Sequence, residues 1–157
     1  MDLLRSSGKT LAAGIAVALG VSLLISLIIP LNTGSEELMA RTEVRLDSIA
    51  LALAAGAAAA LSMAQGKSAV LVGVMVAAAL LPPGAALGLF LGEQQWSLAG
   101  RSGTLLFLNI VCLLVSALGV FRLKKIQPRG WVDQQNATRA FWVNVGLSIG
   151  LLVILAV

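Results

Sequence analysis

The 23 residues from Val70 to Gly92, VLVGVMVAAALLPPGAALGLFLG, carry no charged side chain. As a helix, a run of that length crosses the ~30 Å hydrocarbon core of a bilayer. Near its middle stand Pro82 and Pro83, which have no backbone N–H to donate. The stretch must therefore satisfy its own backbone in a setting without water, and it lacks two of the donors that a helix would use.

The rest of the chain repeats the apolar theme. Of 157 residues 59% are hydrophobic and 11% charged, whereas soluble domains carry about a quarter charged residues. Apolar blocks recur at about 10–29, 48–64, 70–91, 104–121 and 140–157. They predict one all-α transmembrane domain over 1–157, a multi-pass bundle of five spans with the third broken at the Pro-Pro pair. The first block follows Arg5 and Lys9 but is longer than the apolar part of a cleaved leader, and it reads as a span.

Several function classes are disfavoured at once. There is no His, and the single Cys, Cys112, lies inside an apolar block. Zinc, haem and disulfide chemistry are not expected, nor is any other metal or cofactor. No span carries an Asp, Glu, Lys, Arg or His, so neither a general base nor a proton relay is evident, and the chain reads as no enzyme. Gly66-Lys67-Ser68 resembles the end of a nucleotide-binding loop, but position 61 is Leu where that motif needs Gly. The net charge of +4 is an orientation signal, not a mark of nucleic-acid binding.

Orientation follows from the basic residues. With five crossings, Arg5, Lys9, Lys67, Arg122, Lys124, Lys125, Arg129 and Arg139 share one side, eight against Arg41, Arg45 and Arg101 on the other. A basic excess marks the cytoplasmic face. The expectation is a cell-membrane protein with its N-terminus inside and its C-terminus outside. If the third span failed to cross, the most basic loop would fall outside, so that span is read as crossing.

The broken span carries the functional expectation. Without the N–H groups of residues 82 and 83, the carbonyls of Ala78 and Ala79 lose their helical partners, and two half-helices, about 70–81 and 84–91, are predicted. The first half would end in free carbonyls and the second would begin with free N–H groups at Gly84. Discontinuous helices of this kind line the ligand sites of transporters. Ala78, Ala79, Pro82, Pro83, Gly84 and Asn109 in the next span are thus a candidate site for a small solute or ion. The other reading is that Asn109 simply caps the freed carbonyls. The polar loop before the second span offers Arg41, Thr42 and Asp47 as a candidate entrance, or else a solvated connector whose Glu37, Arg41 and Arg45 share a helical face.

The second block, SIALALAAGAAAALSMA, is nearly all small residues. Ala52, Gly56 and Ala60 form a ridge that lets backbones approach, which predicts burial among neighbouring helices or at a contact in a homo-oligomer. Trp96 suits an interfacial anchor, and Asn144 and Ser148 share a face of the fifth block. Two functions from different classes remain: a transporter or channel subunit using the break with Asn109, and a non-transporting scaffold or assembly subunit.

Ala40-Arg41-Thr42, Asp47 before the small-residue block, LLPPGAALGLFLG at 80–92 and LLFLN at 105–109 together resemble a prokaryotic family of uncharacterised hydrophobic membrane domains, domain of unknown function 389. The likeness covers about residues 5–121. It implies a multi-pass membrane protein of bacteria or archaea and singles out Asp47, Pro82, Pro83 and Asn109. It also implies a short form or a fragment, because many members carry further segments before the matched part. It implies no chemistry.

Overall fold

The computed structural model describes residues 2–29, 35–124 and 146. Among these residues five helices run in order: α1 (Asp2–Ile28), α2 (Glu36–Met39), α3 (Leu46–Ala64), α4 (Ala69–Gly92) and α5 (Trp96–Leu123). Among the described residues there is no strand. Helices α3, α4 and α5 are long and apolar enough to cross a membrane, while the described apolar part of α1 is the shorter Ala12–Ile28. The expected fifth span, with Trp142, Asn144 and Ser148, lies outside the described residues.

The helices end as local chemistry requires. After α3, Gly66 takes φ 68°, in the left-handed region that glycine enters freely. This lets Lys67 N–H donate to Ser62 O at 2.9 Å and Gly66 N–H to Met63 O at 3.0 Å. Those two bonds satisfy carbonyls that the helix end would orphan. Ser68 then starts the next helix, its hydroxyl accepting from Leu71 N–H at 3.4 Å. The Gly-Lys-Ser sequence is therefore a stop and a start. After α4 the same closure recurs, with Gln95 N–H on Phe90 O at 2.9 Å, but the left-handed residue there is Gln94, φ 58°.

Two expectations are corrected. The third span is not split: α4 is one helix from Ala69 to Gly92 with both prolines inside it. Two ladder bonds are lost, yet the helical path persists, because a neighbouring side chain replaces one of them, as membrane helices permit. The fourth span begins earlier than Thr104. Trp96-Ser97-Leu98-Ala99-Gly100-Arg101-Ser102-Gly103 is helical, despite two glycines that favour a loop. Packing outweighs propensity there, since Ala99 is 3% exposed and Ser102 fully buried.

The chain forms two compact units. One comprises Met1–Val44 and Leu80–Leu106, the other Arg45–Ala79 and Phe107–Val157. The first has a core of Ala86, Phe90 and Ala99, with Leu38 of α2 packed on it. Ser102 Oγ donates to Arg41 O at 3.1 Å, tying the turn after α2 to α5. In the same unit α1 meets α4 along glycines. A Cβ at Gly88 would lie 2.7 Å from Leu19 O, and one at Gly92 would collide with Ser26 Oγ.

The second unit is built on small residues. Ala52, Ala55, Ala79, Leu108 and Cys112 form its core. The predicted ridge is buried: Ala52 and Ala60 are 0% and 1% exposed. A Cβ on Gly56 would collide with Ser116 Oγ and Leu113 O of α5. Within this unit, then, close backbone approach is what the small residues of α3 provide.

Candidate functional site

The described part of the candidate site centres on one hydrogen bond. Asn109 Nδ2, on α5, donates to Ala79 O, on α4, at 2.9 Å. Ala79 is 2% exposed and Asn109 4%. The chemistry follows directly from Pro83. The N–H of residue 83 would normally close the turn onto Ala79 O, proline has none, and an amide from the adjacent helix takes its place. Leu108 and Cys112 flank Asn109 on α5 and belong to the apolar core that also holds Ala79. The bond is thus shielded from bulk solvent and strengthened by a low local dielectric.

The other half of the amide is different. Asn109 Oδ1 is buried and has no hydrogen-bond partner among the described residues. Ser26 Oγ, on α1, shares that condition.

The remaining predicted residues divide. Ala78 faces outward while Ala79 is buried, so the two freed carbonyls belong to residues on different sides of α4. Pro82 is half-buried, and Pro83 and Gly84 are buried. Gly84 differs from the glycines further along α4, because no atom of the described residues lies within 4 Å of where its Cβ would be. The helix is continuous at Gly84, so the expected free N-terminus does not form there.

The candidate entrance is a set of turns. Helix α2 ends at Met39, so Arg41 and Arg45 do not share a helical face with Glu37. Thr42 is 2% exposed, its hydroxyl donating to Met39 O at 2.7 Å. Arg41 is exposed, and its backbone carbonyl receives Ser102. Asp47, in the first turn of α3, pairs with Arg45 at 3.5 Å, and both side chains are largely in solvent. Such a pair contributes little. Among the described residues no group of His, Cys, Asp or Glu is placed to hold a metal ion.

Sequence reasoning missed the glycine contacts of Gly88 and Gly92 with Ser22 and Ser26. The four-residue spacing of both pairs on their helices was a legible sign of close packing.

Residues 1–115 match the family model described as "Domain of unknown function (DUF389)". An uncharacterised protein of Methanocaldococcus jannaschii is 30% identical over 152 residues, covering 93% of this chain and 48% of that protein. The chain therefore spans about half the length of that curated relative. No solved structure matches.

Proposed function

The chain belongs to the DUF389 family, and from that premise we propose that it is a non-enzymatic membrane subunit that packs and assembles rather than moves solutes. The observation that carries this reading is the 2.9 Å bond from Asn109 to Ala79 O. The freed acceptor on the buried side of α4 is already taken, by a side chain in a tight apolar contact. A coordination point for a passing ion would need that carbonyl free. Wide apolar surfaces, with Val70, Val74 and Leu81 all exposed, suit lipid or a further copy of the chain. We place the protein in the cell membrane as a homo-oligomer, with its N-terminus cytoplasmic and its C-terminus external.

The test is a flux screen. Purified protein in liposomes is expected to move no ion or small solute above the leak of empty vesicles, while cross-linking in the same vesicles traps a defined oligomer. A flux that wild type supports and Asn109→Leu abolishes would overturn the reading. A cytoplasmic reporter fused after Val157 is expected to be inactive, and activity would reverse the orientation.

A second reading, a transporter or channel subunit for a small solute or ion, is favoured by the unpartnered Oδ1 of Asn109. It requires a polar path through α4 and α5, and the flux screen decides between the two.

A further inference from the structure

Asn109 is an amide used at one end only. Its Nδ2 is committed to Ala79 O. That commitment settles which way the amide points, because turning it over would set two acceptor oxygens against each other. Oδ1 therefore faces away from Ala79 O. It is inaccessible, and no described residue donates to it. Buried side-chain acceptors rarely stay unmatched, and each exception calls for a bound group or a specific cause.

We propose that Asn109 Oδ1 is the acceptor of a binding site for one small neutral hydrogen-bond donor, a water molecule in the resting protein. The surroundings choose a neutral ligand over a cation. Ala79, Leu108 and Cys112, the bonded neighbour and the flanking residues on α5, all belong to an apolar core. No acidic or metal-binding cluster exists among the described residues to balance a charge. A hard cation surrounds itself with six or more oxygens, and one amide oxygen does not replace that shell. A water asks for less: the space of one molecule and a few polar partners, of which Asn109 Oδ1 supplies one. Such a water would complete the amide and hold its plane, so that Nδ2 stays aimed at the proline-freed carbonyl. The site does not depend on transport or on assembly, and it stands or falls separately from either.

The experiment uses the wild-type chain in lipid bilayers, labelled with 13C-asparagine and 13C-leucine. The chain has four asparagines, Asn32, Asn109, Asn136 and Asn144, so the Asn109 side-chain carbonyl signal is assigned by replacing the other three one at a time. Solid-state NMR then follows magnetisation passing from water into the protein. The Asn109 carbonyl is expected to build up several-fold faster than the methyls of its buried neighbour Leu108. A build-up as slow as that of Leu108 overturns the proposal. So does a through-space contact showing that Asn144 or Ser148 donates to Oδ1, since the acceptor would then be filled by the chain itself. If the water is absent while the Asn109–Ala79 contact persists, the structural reading of the cap survives and only the site is lost.

Discussion

Helix α4 is held in two ways. Along its second half, in the first compact unit, Gly88 and Gly92 meet α1 closely: Leu19 O sits 2.7 Å from where a Cβ of residue 88 would be, and the small side chains of Ser22 and Ser26 fill the rest of the contact. Along its first half, in the second unit, the tie is polar, Asn109 on Ala79 O. In lipid there is little hydrophobic gain from bringing two apolar helices together, so close van der Waals contact or an interhelical hydrogen bond must do it. At Gly88 the contact has no slack, because the nearest obstructing atom is backbone. The amide contact has slack, because a side chain can rotate and a water can intrude. The two regions should therefore respond very differently to small chemical changes.

The largest effect is expected where backbone meets backbone. Gly88→Ala should destabilise the fold by about 1–3 kcal/mol, the usual range for overpacking, read as a shift in reversible unfolding in bicelles. Gly56→Ala, which meets Leu113 O in the second unit, should behave alike. If either were silent, backbone contact would not be the stiffer of the two ties.

Next comes the polar tie. Asn109→Leu removes the donor to Ala79 O and should cost about 1–2 kcal/mol, in line with interhelical hydrogen bonds in membranes. Asn109→Asp should also destabilise, since the carboxyl either ionises and loses its donor or is held protonated against the usual preference of the group for its charged form. Equal stability of Asn109→Leu and wild type would mean that Ala79 O finds another partner.

Two changes should stabilise. Gly84→Ala adds a methyl where no atom of the described residues lies within 4 Å, and alanine is favoured over glycine within a helix by up to about 1 kcal/mol. The pair Gly84→Ala and Gly88→Ala thus tests the comparison within a single helix: the same substitution, opposite signs. Gln94→Gly relieves a left-handed φ of 58° at the end of α4 and should gain somewhat less than about 1 kcal/mol. Thermal unfolding followed by circular dichroism in detergent would rank all of these.

The spans α3 and α4 were legible to within two residues, because an uncharged run bounded by polar turns leaves little choice in lipid. The start of α5 was not. Gly100, Arg101 and Gly103 look like loop, and only the burial of Ala99 and Ser102 makes them helix. The Pro-Pro pair points to a break that does not form. Counting donors correctly identifies which carbonyls are freed, but not whether the helix continues past them. Asn109 could be named as a cap because few polar groups occur in these spans, yet its half-used amide was invisible before the helices were placed.

By itself the sequence determined that this chain is helical and suited to a membrane, since apolar runs with almost no charge can satisfy their backbones in lipid only as helices. It also determined which carbonyls lose their donors, because that is a property of proline. The tertiary structure alone decided that α4 stays whole, that Ala79 O and not Ala78 O receives Asn109, and that Gly88 is crowded while Gly84, four residues earlier, is not. Which neighbour lies opposite a given face is set by the packing of distant segments, and no local pattern encodes it.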